Sequence, residues 1–378
     1  MPKSACFAAY SVDELDEMVR SRGFTPTLGI VFCSPAIGIP ELVNVLPAWG
    51  FPVFGCSTAG EILKREGGSP ILEQSVVCCL LDLDPSLFSI AIFNRNTESS
   101  FDFGRKIGSW GMRTFSSPAF LIAISGLTND GEAIVKGIES ACPYGTPSFG
   151  GMAGDDANFL ETFAFSNTGS TTDGAVVMVL DAKRVRVSGI ATSGWTGVGA
   201  EMIVTSSDGN VVHTINDRSA VDLFRDYLKV GNEELVQIGV TFPLIVIRPD
   251  GSTILRAVLA ADFPTGSLIF AGSIPPGSRV RFSSSFGYEI IEKSIREIRD
   301  LAVGHPNANA VLAFSCVARH SVFGDTIDNE ITAASGLWSA PLIGLFTYGE
   351  IGPNRKGVCD FHNETLSLVL IDLIPDQK

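Results

Sequence analysis

One eleven-residue pattern occurs near both ends of the chain, and it constrains the fold more than any other feature. Pro52-Val-Phe-Gly-Cys-Ser-Thr-Ala-Gly-Glu-Ile62 and Pro341-Leu-Ile-Gly-Leu-Phe-Thr-Tyr-Gly-Glu-Ile351 agree at six of the eleven positions. A shorter, more divergent copy, Pro147-Ser-Phe-Gly-Gly-Met-Ala-Gly-Asp-Asp156, keeps the Pro, the first Gly and a Gly-acid step. A repeat of this kind fixes the architecture before any single motif does.

The flanks repeat too. Apolar, β-branched stretches at Leu28–Cys33, Ala119–Ile124 and Ala310–Ser315 precede the three copies and read as buried strands. Between each strand and its motif lies a candidate helix, at Ile39–Leu46, Asn129–Glu139 and Asp328–Ala334, with Asn129 and Asp328 as expected N-caps. A further apolar strand ending on aspartate follows each motif, at Val76–Asp82, Ala175–Asp181 and Leu368–Asp372. The unit is strand, helix, motif strand, return strand. Between about 185 and 300 the pattern gives way to strands, turns and two helices, Arg218–Leu228 and Tyr288–Leu301. The expected fold is therefore α/β: mixed sheets with flanking helices in a layered sandwich, forming two tightly packed halves. One half spans 20–220 with two units. The other spans 221–378 with the last unit and its leader.

Composition narrows the function. Charged residues are only 18% of the 378, against roughly 25% in an average soluble domain, and hydrophobic ones are 45%. With 41 acidic and 27 basic side chains the net charge is -14, which argues against nucleic acid as a partner. Mean hydropathy is +0.28, yet apolar runs such as Ser75–Leu81 stop well short of the ~18 residues of a bilayer span. Acidic residues follow the opening Met1–Tyr10 where a signal peptide needs apolar ones, so a cytoplasmic protein is expected. Eight scattered cysteines without a Cys-x-x-Cys pair imply reduced thiols and argue against structural zinc.

Phe54–Glu61, Gly150–Asp156, Phe314–Arg319, Thr347–Pro353 and His362–Thr365 occur in an order that resembles the FIST family. That resemblance implies an intracellular sensory module that binds a small ligand such as an amino acid. It also implies signalling through a separate partner, a histidine kinase, cyclase or chemoreceptor. Some similar proteins are haem-based nitric oxide sensors that regulate a histidine kinase. Haem is thus the alternative cofactor, with His362 the first choice of axial ligand and His320 the second.

A Gly-acid step at a strand end lets a ligand approach the backbone while the carboxylate accepts from an amine. The expected ligand set is Cys56, Ser57, Thr58, Gly60, Glu61, Gly151, Asp155, Asp156, Arg319, Thr347, Tyr348 and Glu350. In it Glu61, Asp155 or Asp156, and Glu350 frame a zwitterion, and Arg319 clamps a carboxylate or phosphate. The competing reading makes the glycines turn residues and the acids caps. Cys56 as a nucleophile would define a hydrolase-like enzyme, but its neighbours in sequence supply no base. Walker A, His-Glu-x-x-His and Gly-x-Ser-x-Gly signatures are missing.

Overall fold

A computed structural model describes residues 3–283, 287–354 and 356–374. The repeat is longer than the sequence pattern suggests, because each unit begins with its own leader strand and helix. In the first unit these are Ser4–Ala9 and Val12–Arg20; in the second, Phe88–Asn94 and Ser100–Thr114. The third unit's leader strand is Val185–Thr192 and its helix is Gly287–Gly304, with an insertion between them.

The first strands, Leu28–Cys33, Pro118–Ile124 and Ala310–Cys316, lie parallel to the motif strands Val53–Ser57, Ser148–Met152 and Leu342–Thr347. On the other side each pairs antiparallel with its return strand, Val76–Leu81, Gly174–Asp181 or Leu366–Leu373. The leader strand then pairs with the return strand.

The free edge of each motif strand is closed by a hairpin from another unit. Glu61–Leu63 of the first unit pairs with the third unit's motif strand, Glu350–Pro353 of the third with the second's, and Ala164–Ser166 of the second with the first's. The exchange is cyclic, and it yields three six-stranded sheets with the same order of parts. Inner faces of all three meet in one core containing Phe32, Phe54, Leu121, Phe149, Leu312, Phe314 and Leu345. Each sheet buries its outer face under its own helices.

The repeated glycine has a steric reason. Gly55, Gly150 and Gly344 lie opposite Val31, Ile122 and Ala313 in the three parallel ladders. A Cβ on these glycines would sit 2.6, 1.9 and 2.2 Å from the carbonyl oxygens of those partners. Glycine is the residue whose backbone tolerates that approach.

Sequence and structure part in a few places. Asp130 caps the second unit's helix, accepting from the Ala133 amide, so the expected cap Asn129 lies one residue too early. The last helix is Ile327–Gly336, which puts Asp328 inside its first turn. A third helix in the irregular region, Asn232–Thr241, escapes a periodicity reading because it is weakly amphipathic and contains Gly239. Strand pairing sets Cys6 and Cys79 opposite one another with their sulfurs adjacent, a juxtaposition the sequence did not suggest because 73 residues separate them.

The insertion forms a separate eight-stranded sheet of small strands between Gly197 and Ser283, with its own core. It is pinned to the repeats by buried charge. Arg256 is 1% exposed and donates to Glu132 Oε2 at 3.0 Å and to the Phe361 carbonyl at 3.2 Å, while Arg248 forms a bidentate pair with Asp360.

Gly344→Ala should destabilise the protein by about 1–3 kcal/mol through overpacking. Equilibrium denaturation measures it, and an unchanged midpoint would contradict the close approach.

Candidate functional site

The two best-matched motifs build the same hydrogen-bonded latch. Thr58 donates to Glu61 Oε1, and both the hydroxyl and the amide of Ser75 donate to Oε2, at 2.8 and 3.2 Å. Thr347 Oγ1 is 2.7 Å from Glu350 Oε1, and the hydroxyl and amide of Thr365 donate to Oε2, again at 2.8 and 3.2 Å. Ser75 and Thr365 each stand one residue before their return strand, so a latch ties the hairpin to the start of that strand. Both carboxyls are fully buried.

Burial pushes Glu61 up to about 7 and Glu350 up to about 8, against opposing hydrogen bonds. The neutral acid also resolves a donor shortage. Thr347 has one hydroxyl proton, yet its oxygen lies near both Glu350 and the Ser315 carbonyl, at 3.1 Å from the latter. A protonated Glu350 donates to Thr347, and Thr347 donates onward to Ser315.

In the second unit Ala153 and Asp156 hold the places of the Thr and Glu, and no such latch forms. Asp155 instead accepts from the amides of Phe159, Leu160 and Glu161 at 2.8, 2.6 and 3.0 Å and from the Tyr348 hydroxyl. Tyr348 also stacks on Phe159. Asp156 accepts from Ser34 Oγ at 2.7 Å. Ser57 donates to the Gly154 carbonyl and accepts from the Phe163 amide. Gly60 packs against Phe346, and Gly151 lies beside the Gly349 carbonyl and Thr347.

Three pairs of the expected site residues bond to one another, Thr58 with Glu61, Thr347 with Glu350 and Tyr348 with Asp155, and most of the other polar atoms of the set bond to groups outside it. Cys56 points into the shared core, where burial raises its thiol far above the range of a nucleophile.

A second cluster lies at the end of the third unit's first strand. Arg319, on the helix Val317–Phe323, is fully buried. It donates to the carbonyls of Ser193 and Glu364 at 2.6 and 3.2 Å and pairs with Glu330, while Trp195 and Phe323 flank its guanidinium. Glu364 is also fully buried, with φ +58°, a left-handed conformation uncommon for a residue other than glycine. Among the described residues neither of its carboxyl oxygens meets a donor, nor do Glu330 Oε2 and Ser315 Oγ, and Arg319 Nε meets no acceptor. Burial, and next the repulsion of Glu350 against the attraction of Arg319, leaves Glu364 at about 8.

Orphaned buried groups of this kind are rare and concentrate at functional sites. Sequence reasoning passed over Glu364, although it lies within the His362–Thr365 segment that carried the family resemblance.

His362 does not fit as a haem ligand. Its Nε2 is 3.1 Å from the Gly352 carbonyl, its ring is buried within a hairpin, and burial lowers it to about 4. His320 stacks on Phe346. Among the described residues, no group of three or more His, Cys, Asp or Glu side chains is arranged to hold a metal, and no helix is long and apolar enough to cross a membrane.

Comparison with known families defines the class as a signal-transduction protein. A model of the FIST N domain matches residues 27–218, and one of the FIST C domain matches 220–353. The chain belongs to the FIST family, whose domains are associated with sensory roles. No curated protein matches it. The N-domain match takes in the third unit's leader strand, which pairs with the return strand Leu366–Leu373.

Two outcomes are expected. Glu61, Glu350 and Glu364 hold their protons more tightly folded than unfolded, so what these three contribute to stability is fully present below about 4.5 and is lost as pH rises to about 7 to 8. His362 acts in the opposite sense, but only below about 6.5. The urea midpoint should therefore fall from about pH 6.5 to 8.5, and Glu350→Gln should lessen the fall; a midpoint independent of pH would contradict neutral carboxyls. When the protein is titrated with haemin, any Soret band should be the same in His362→Ala as in the wild type. Its loss in that variant would make His362 a ligand after all.

Proposed function

We propose that this protein is a sensory module that binds a small amino-acid-like metabolite and passes the signal to a separate partner such as a histidine kinase, cyclase or chemoreceptor. One observation carries the reading: the buried carboxyl of Glu364, held in a left-handed backbone conformation, has both oxygens without a donor among the described residues. A ligand amine is the chemistry that satisfies it. Domain interfaces are favoured places for small-molecule sites, and Ser193 and Trp195, which contact Arg319, lead directly into the inserted sheet.

The same place offers a route outward. Asn363, next to Glu364, contacts Arg256 of the insertion at 3.4 Å, and Arg256 in turn reaches Glu132. A ligand that changed the backbone at 363–364 would disturb the anchor of the inserted sheet. That sheet is the surface we assign to the partner.

Thermal shift across an amino-acid and metabolite panel tests the reading, followed by hydrogen exchange with any ligand found. Binding should raise the melting temperature, vanish in Glu364→Gln, and alter exchange in the strand Thr253–Arg256. Binding that survives Glu364→Gln but is lost in Glu61→Gln would move the site to the first unit's latch.

A further inference from the structure

We infer that the buried cluster around Glu364 selects a primary ammonium group whose neighbouring oxygen is uncharged, as in an amino alcohol or an amino-acid amide, over a zwitterionic amino acid. The inference rests on the sensory reading above and narrows its ligand.

Arg319 is the cation on the helix Val317–Phe323, and Glu330, from Ile327–Gly336, pairs with it directly. Glu350 on the third unit's hairpin and Glu364 after it add two more carboxyls, and Cys316 lies beside them at the end of the first strand. The described groups that face Glu364 therefore carry one positive charge against three acids. Glu350 and Glu364 are protonated at neutral pH, so Arg319 balances Glu330; when an ammonium binds and Glu364 ionises the charges still balance, whereas a ligand carboxylate leaves one negative charge over.

The unpartnered atoms match the same ligand. Among the described residues both carboxyl oxygens of Glu364 and Glu330 Oε2 meet no donor, and an ammonium brings three. Arg319 Nε meets no acceptor among the described residues. A hydroxyl or amide oxygen satisfies it without bringing a second negative charge beside Glu330.

Fullness of the site also favours a compact group: Trp195 and Phe323 pack on one another, ring centres 5.2 Å apart, and the guanidinium lies against that pair, 5.3 Å from the centre of each ring. The segment around Trp195 is the wall with room beyond it. Gly194 and Thr196 border a cavity of about 350 Å³ whose other side is the helix face Glu289–Arg296.

Binding is linked to protons. An ammonium favours ionised Glu364, which burial holds near neutral, so each cation bound expels a proton at pH 7. Affinity for an amine should rise roughly tenfold per pH unit between about 6 and 7.5 for each proton released.

The test is calorimetry on the full chain with alaninamide, ethanolamine, alanine and propionamide, in two buffers of different ionisation enthalpy. We expect alaninamide and ethanolamine to bind, alanine to bind at least about tenfold more weakly, and propionamide, which lacks the ammonium, not to bind. We also expect proton release in the wild type, a readout that needs no variant. In Glu364→Gln, amine binding should fall at least tenfold, with a melting curve to confirm folding. Alanine binding as tightly as alaninamide, or amine binding without proton release, overturns the inference and leaves the sensory reading intact. A failure of every compound here and across the metabolite panel removes both.

Discussion

Each motif strand has a free edge, and a unit's own strands do not cover it. A parallel strand with an exposed ladder is a site for unwanted pairing, so each unit lends its hairpin to the next in a closed cycle. The cycle accounts for the rest of the structure. It forces three sheets around one core, and it buries the turns between motif strand and hairpin. It also makes the units interdependent, because a sheet without its borrowed hairpin is incomplete. Carboxyls at those turns lose their water and must find hydroxyls, amides or protons instead.

The latches show how burial changes the meaning of a motif. Thr-x-x-Glu at a glycine turn has the composition of a ligand site when read as sequence. In the fold, Thr58 with Glu61 and Thr347 with Glu350 face inward and bind their own chain. The third unit departs from the first after its hairpin. Gln74 and Glu364 occupy the same place, immediately before Ser75 and Thr365, and both adopt left-handed backbone, at φ +49° and +58°. Gln74 is exposed, whereas Glu364 is buried beneath Arg319. One position in a triplicated scaffold has thus become a buried carboxyl, and that asymmetry is what separates a candidate site from a structural repeat.

Much of the fold was legible because its signals are local. Leu28–Cys33 reads as a buried strand at its true limits, and the repeated Pro-x-x-Gly marks each motif strand. Leader strands were missed because Ser4–Ala9 and Phe88–Asn94 are only partly buried and lack the repeated motif. The cyclic exchange was invisible for a deeper reason: Glu61 opposite Leu345 is a contact between residues far apart in sequence, and nothing in either segment names its partner. The same limit applies to Cys6 with Cys79. For the site, Arg319 was legible by residue type alone. Glu330 and Glu364 were not, since burial and an unmet hydrogen bond are properties of the assembled core.

The central claim is that the third unit keeps neutral carboxyls buried beside Arg319 and surrenders a proton when a cation arrives. Infrared difference spectroscopy of the carboxyl groups tests it most directly. The account predicts a protonated-carboxyl band at neutral pH that is diminished in Glu350→Gln and in Glu364→Gln, titrates near pH 8, and loses intensity on adding ethanolamine. A spectrum with no such band at neutral pH, or one that neither variant alters, would contradict it.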